Sequence, residues 1–335
     1  VWSMHWNPAK YGFVKDDFGI GLSVTPWLRN LGVKDVYQLY MSGYKRINKN
    51  QTFGASLQYF NLGDITVTDE AGVETGSTIH PNEFALDFAY ARLLSKTFSF
   101  SIGLRGIYSD LSNGISAEGG DKARAGKSVA ADVSGFYMKE TTIGATPAIV
   151  RAGFNLSNMG AKMSYSESQK KEFLPTTLRL GVGTSIAVDK YNDFGINVDA
   201  SKLLVPTKPF IDKSTGKQYG TGDYEVSLPV AMVNSFYDAP GGAKEEFNEI
   251  MLGVGAEYWY VKQFAVRAGY YNESKTKGNR KSFSAGIGLK FSAMRLDLAY
   301  LIPVAGANSP LANTYRFSFT YEVATIKRKT SEVKN

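Results

Sequence analysis

The segment Thr97–Ser109, TFSFSIGLRGIYS, alternates strictly: Phe98, Phe100, Ile102, Leu104 and Tyr108 share one parity, while Ser99, Ser101, Gly103, Arg105 and Ser109 hold the other. A repeat of two residues marks a β-strand with one apolar and one polar face. The same alternation returns in Phe18–Val24, Phe84–Tyr90, Val150–Leu156, Leu178–Val182, Phe194–Val198 and Tyr315–Val323. Such strands constrain a fold strongly, because each needs a partner along both edges and a home for its greasy face.

This pattern predicts about 14 strands of roughly 8–15 residues, the length a tilted membrane-crossing strand needs. Their cores fall at 17–25, 35–46, 52–66, 82–93, 97–110, 127–138, 147–157, 176–187, 193–201, 247–261, 263–272, 281–291, 293–302 and 313–325. The links alternate in length. Ser95–Lys96, Asp189–Asn192, Val261–Lys262 and Ser292–Ala293 are tight, whereas 67–81, 111–126, 158–175, 202–246, Asn272–Arg280 and Ala305–Leu311 are long. Two links break the rhythm: 139–146 is too long for a tight turn and 28–34 too short for a long loop. Long loops at one rim and tight turns at the other characterise an outer-membrane barrel, with both termini at the tight-turn, periplasmic rim. A soluble sandwich would instead pack its greasy faces sheet to sheet; strand length, even count and loop rhythm count against it.

Composition agrees. No run approaches the roughly 18–20 apolar residues of a spanning helix. A mean hydropathy of −0.20 is what a barrel gives when half of each strand faces a polar interior. Glycine (34 residues) and aromatics (13%) favour strands and tight turns, and zero cysteines exclude a disulfide scaffold and thiolate metal sites. The net charge of +7 is dispersed. Without a Lys/Arg stripe it argues against nucleic acid, and it fits a solvated rim or anionic lipid head groups. Val1 opens the chain with neither an initiator Met nor a basic-then-apolar leader, the form expected once a signal peptide is removed.

The polar parity carries Arg105, Arg151, Arg179, Arg267, Arg295 and Arg316 together with Asp87, Asp132, Asp199, Glu257, Asp297 and Glu322. Acid and base mixed in this way compensate each other's burial, so these charges are expected to face and partly fill a lumen. The Gly, Ala and Ser residues between them suit a narrow lumen that encloses something. Aromatics near strand ends, among them Trp27, Tyr59, Phe60, Tyr90, Tyr108, Tyr258 and Tyr321, are expected in interfacial girdles.

Before the strands lies VWSMHWNPAKYGF, an aromatic prefix kinked by Asn7-Pro8 that cannot be a long strand. Tethered at the end of a barrel, it most simply folds into the lumen as a plug. Asn7-Pro8-Ala9 resembles the Asn-Pro-Ala signature of the N-terminal hatch in FadL-like outer-membrane proteins. Within that superfamily the start WNPAKYGF, the run LGVKDVYQLYMSGYKRINKNQTFGASLQYFNLGDI and the close ANTYRFSFTYEV make the chain similar to the PorV (LptO) family of the type IX secretion system. The resemblance spans essentially the whole chain. It implies an all-β, FadL-like transmembrane barrel in the outer membrane of a Gram-negative, Bacteroidota-type bacterium. It further implies association with a SprA/Sov-type translocon barrel, receipt of cargo bearing type IX C-terminal domains, and delivery to the surface attachment complex. The expected organisation is a plug at 1–15, a barrel at 16–326 and a periplasmic tail at 327–335.

The loop 202–246 is the most informative non-strand segment. Its stretch YEVSLPVAMVNSFYDAPGG offers Val226, Leu228, Val230, Met232, Val233, Phe236 and Tyr237 where water is expected. Exposed apolar residues of this kind mark a contact surface for translocon or cargo; alternatively the loop folds back over its own lumen or holds a greasy ligand. Val-Ser-Leu-Pro-Val has strand chemistry, which makes β-augmentation the expected binding mode.

Chemistry is sparse. The two histidines, His5 and His80, lie in the prefix and in a loop, with no metal-ligand spacing, and no Gly-x-Ser-x-Gly occurs. Gly119-Gly120-Asp121 lacks the helix a phosphate loop needs, and no metal or cofactor is expected. Three function classes stand: a secretion partner without chemistry, a FadL-like channel for hydrophobic small molecules, and an envelope enzyme acting on lipid A. The charged parity argues against a continuous greasy path, and no residues support lipid A chemistry.

Overall fold

A computed structural model describes the chain except residues 30, 31, 34, 70, 116–121, 167–170, 208, 209, 212–217, 220–224, 305–313 and 324–335. The expected tail 327–335, the Gly119-Gly120-Asp121 turn and the link Ala305–Leu311 lie outside the described residues. Fourteen long strands close into one antiparallel barrel. They are β1 (Phe18–Pro26), β2 (Val36–Asn48), β3 (Gln51–Leu62), β4 (Asn82–Leu93), β5 (Phe98–Asp110), β6 (Gly126–Ile143) and β7 (Thr146–Gly160), followed by β8 (Thr177–Ala187), β9 (Asn192–Leu203), β10 (Met251–Tyr260), β11 (Phe264–Asn272), β12 (Lys281–Phe291), β13 (Met294–Pro303) and β14 (Thr314–Val323). Each pairs with its neighbours in sequence, and β1 pairs with β14 from Phe18–Val323 to Val24–Phe317. Closure removes every edge, so backbone groups in a hydrocarbon environment stay paired.

The side-chain period then sorts the two faces. On the outward parity Leu104 is 70% exposed, Val182 60% and Phe291 75%, while the inward positions Ser101, Ser134 and Ala89 are buried. A wall this apolar is stable only against acyl chains. Among the described residues no helix is long and apolar enough to cross a membrane; the crossing elements are strands.

Among the described residues the connections alternate: 49–50, 94–97, 144–145, 188–191, 261–263 and 292–293 join strands at one rim, and the strands flanking 27–35, 63–81, 111–125, 161–176, 204–250 and 273–280 are joined at the other. The apparent break at 139–146 is therefore corrected. β6 and β7 continue pairing to Ile143–Thr146, whereas β5 stops opposite Tyr137. The hairpin tip projects past its neighbours, both of its faces leave the apolar layer, and its residues lose the alternation that marks a strand. Two other boundaries shift. The expected strand 52–66 ends at Leu62, with Ile65–Thr68 pairing instead to Glu74–Ile79 in a small loop hairpin, and the expected strand from 247 begins at Met251, after a helix.

The N-terminal segment lies against the inner face. It comprises α1 (Ser3–Trp6) and a 3-10 turn (Pro8–Phe13). Tyr11 is fully buried with Met4, Tyr44, Ala89 and Ala91. Its hydroxyl donates to the Val1 carbonyl at 2.5 Å. Its ring occupies space that only a glycine leaves free, since a Cβ on Gly54 would stand 2.5 Å from Tyr11 Cε2. Gly54→Val is therefore expected to cost about 1–3 kcal/mol through overpacking. Thermal unfolding in detergent checks this, together with faster proteolysis of residues 1–13 while the barrel stays intact.

Candidate functional site

Two regions gather functional side chains: the inner wall with the N-terminal segment, and the structured part of the longest loop. In the first, Asn7 acts as a bracket. Its Oδ1 accepts from Ala9 N at 3.0 Å, and its Nδ2 donates to the carbonyls of Gly135 (3.1 Å) and Phe154 (3.0 Å). Pro8 pre-sets the turn at its first positions. Ala9, fully buried, donates its N–H to Ser134 Oγ at 3.1 Å and accepts from Ser99 Oγ. The Asn-Pro-Ala tripeptide thus joins the segment to β5, β6 and β7 at once.

The inward charges fall into two paired groups and several singles. Arg105 binds Asp87 and Asn158 Oδ1 and lies 3.4 Å from Asp132. Asp87 also accepts from Ser56 Oγ at 2.7 Å, and Asp132 accepts the Asn158 N–H at 2.8 Å. That last bond holds a β-bulge between β6 and β7, where Asn158 adopts a φ of 61°. Across the barrel Arg267 joins Glu257 (2.5 Å) and Asp297 (2.7 Å), and Arg295 joins Asp297 (2.9 Å). Arg151 donates to Ser185 at 3.0 Å, Arg179 to Ser157 at 3.3 Å and Arg316 to Thr25 at 3.2 Å. Asp199 accepts from Asn197 at 3.0 Å and Glu322 from Tyr44 at 3.2 Å. Trp6 lies under the Arg179 guanidinium, 5.8 Å from ring centre. Trp27 and Phe60 do not join an outward girdle: their rings pack T-shaped at 5.4 Å on the inward parity.

Desolvation within the barrel, reinforced by Arg179, Arg105 and Arg316, lowers the His5 imidazole from 6.5 to about 4. His5 is therefore neutral in the docked segment and charges only when the segment is released. Docking is fullest above the ordinary value of 6.5 and weakens as pH falls from 6.5 toward 4. The exchange protection factors of residues 1–13, taken relative to intrinsic rates at each pH, should fall across that interval in the wild type and stay nearly flat in His5→Gln.

In the second region the stretch expected to have strand chemistry forms a helix, α2 (Leu228–Asn234), followed by α3 (Ala243–Asn248). Ser227 before Leu228-Pro229, with Pro in the first turn, is a helix-start signal that outweighs the β-propensity of the valines. The candidate residues divide by helical phase. Val230 (46%), Val233 (61%), Phe236 (51%) and Tyr237 (66%) are exposed, whereas Val226, Leu228 and Met232 are half-buried beside the buried Ala231. Phe247, 74% exposed on α3, was missed. The signal that could have found its helix is the Glu245-Glu246 pair just after Gly241-Gly242.

Ion pairs hold this region to the wall. Lys202 on β9 reaches Glu246 (2.9 Å) and Glu249 (2.5 Å), and Lys277 in the loop 273–280 reaches Glu245 (2.6 Å) and Glu249 (2.9 Å). Asp238 accepts from Thr207 N at 3.0 Å and Oγ1 at 3.2 Å. Burial pushes the Glu249 carboxyl up, but its bonds to Lys202 and Lys277 outweigh this and hold it below the usual range. The Lys277 bond likewise lowers Glu245. A depressed carboxylate stabilises above its unfolded value of 4.5 and loses that contribution as pH falls below it. Hydrogen-exchange protection of 243–249 should hold at pH 6 and fall below pH 4.5, with Lys277→Met lowering it at pH 6 and having less effect as the carboxylates protonate.

A closed barrel of 14 antiparallel strands with an apolar outer wall and a charged inner one defines a transmembrane β-barrel of the outer-membrane type. The structure aligns with the deltaS2S3 mutant of the TodX monoaromatic hydrocarbon channel at a TM-score of 0.53, 12% identity, covering 96% of this chain and 94% of that one. It aligns with the Pseudomonas putida toluene transporter TodX at 0.50, 12% identity, covering 96% and 92%. These likenesses are of fold. No curated protein sequence matches significantly. The family model for the type IX secretion system protein PorV matches residues 1–210, and the chain belongs to that family.

Proposed function

We propose that this chain is a non-catalytic partner in type IX secretion. It binds a SprA/Sov-type translocon barrel, receives cargo bearing type IX C-terminal domains and passes it to the surface attachment complex. The N-terminal segment serves as a plug, with the short-turn rim in the periplasm of a Bacteroidota-type cell. Family membership supports the pathway. The observation that carries the role of the loop is the exposed apolar face of Val230, Val233, Phe236 and Tyr237 on a segment pinned by the Lys202–Glu249–Lys277 network. A rigid surface of that kind binds with little ordering cost, and four large apolar residues without cover fit a partner contact. The helical fold replaces β-augmentation with a side-chain contact mode.

A channel for hydrophobic small molecules draws support from fold likeness alone, and the inward Arg, Asp, Ser and Thr residues disfavour a greasy path. The double variant Val233→Asp/Phe236→Asp should reduce recovery of cargo and translocon barrel with this protein by about thirty-fold, the scale of one buried interface anchor. The amount of inserted, heat-modifiable barrel should not change. Undiminished recovery of both partners would reject the proposed role of the loop.

A further inference from the structure

The outer wall carries a dent. Across β1–β5 one outward row runs Ile20, Gly43, Ala55, Phe88 and Leu104, each paired with the next. Gly43 and Ala55, its two smallest members, stand side by side. Between the larger side chains of Met41, Phe53, Leu57 and Leu86 they leave a groove of about 780 Å³, within the range of small-molecule sites. The ladder beneath is continuous from Val36–Leu62 to Arg46–Thr52 and from Asn61–Asn82 to Gln51–Arg92. The groove is thus a depression of the membrane-facing surface, closed to the lumen.

Cations stand at its short-turn end. Lys45 lines the groove, opposite Phe18 on one side and Phe53 on the other. Arg92, opposite Gln51 and Phe100, has the same outward parity two strands away. Arg92 lies one two-residue step beyond the row of Lys45, Phe53 and Tyr90, so two strand spacings and that step put the two Cα atoms about 12 Å apart, a span the two long side chains can close on one group. Both residues are exposed, and neither side chain has a hydrogen bond or ion pair among the described residues. On the opposite wall the outward positions near the short turns are Phe194, Tyr260, Phe264, Phe291, Met294 and Tyr321, all uncharged. A lysine on a lipid-facing strand is stable where its stem lies along apolar surface and its ammonium reaches the head-group layer. That layer therefore lies at the level of Lys45.

We infer that the groove is a binding site for one anionic glycerophospholipid of the leaflet at the short-turn rim. An acyl chain lies along Gly43 and Ala55, and the phosphate sits between Lys45 and Arg92. The apolar depression supplies fit, and the paired cations select negative over zwitterionic head groups. A neutral protein wall in the same place would leave both cations without a counter-charge.

The test uses the full chain in detergent, titrated with phosphatidylglycerol or phosphatidylcholine of identical acyl chains and read by native mass spectrometry. The wild type should retain one phosphatidylglycerol in preference. Lys45→Ala and Arg92→Ala should each weaken its retention about five-fold, and the double variant about twenty-five-fold, leaving phosphatidylcholine unchanged. Ala55→Phe, which fills the dent from outside, should weaken both lipids equally. Equal retention of the two lipids by the wild type would overturn the inference, as would a preference that survives the double variant. So would unaltered binding to Ala55→Phe in a barrel that still shows heat-modifiable migration.

Discussion

Everything in this molecule depends on the pairing of β1 with β14. Seven residue pairs from Phe18–Val323 to Val24–Phe317 convert an open sheet into a ring. In hydrocarbon an unpaired backbone group costs several kcal/mol, so an open sheet with these faces would be untenable. Once the ring closes, the period of two does the rest: it gives an outer wall of Leu104, Val182 and Phe291 and an inner wall of Ser, Thr, Gly and charge.

The inner wall is built around a guest from the same chain. Ser99 and Ser134 meet Ala9, the Gly135 and Phe154 carbonyls meet Asn7, and Gly54 makes room for Tyr11. Each contact joins residues far apart in sequence, so the segment and the barrel specify each other. Charges beyond this contact zone are arranged as local networks, Arg105 with Asp87 and Asp132, Arg267 with Glu257 and Asp297. Removing one member would strand a partly buried charge, which ties the lumen's electrostatics to barrel stability.

The barrel was legible because its strands are amphipathic at a period that sequence displays directly; all fourteen strands were read in their places. The misreadings occurred where that signal fails for a physical reason. At 139–146 the β6–β7 hairpin leaves the apolar layer, so nothing selects for alternation. At Leu62–Ile65 two strands of different sheets follow each other closely and their patterns run together. The loop helices were hidden because Val226–Val233 is rich in β-branched residues, and α2 and α3 are short elements, α3 being fixed by tertiary ion pairs. Lys202 and Glu249 are 47 positions apart, and no local pattern announces such a pair. The Asn7 bracket was visible as a motif, but its partners are backbone carbonyls on β6 and β7, which carry no side-chain signature.

The central claim is that the apolar parity meets acyl chains and the polar parity encloses a filled interior. The natural chain has no cysteine, so single cysteines at consecutive positions 100–105 can carry spin labels in reconstituted bilayers. Accessibility to oxygen and to a water-soluble nickel chelate then tests the claim most directly. The account predicts a period of two, with oxygen favoured at Phe100, Ile102 and Leu104 and both reagents reduced at Ser101, Gly103 and Arg105. Oxygen accessibility without that period, or chelate access at Ile102 and Leu104, would contradict it.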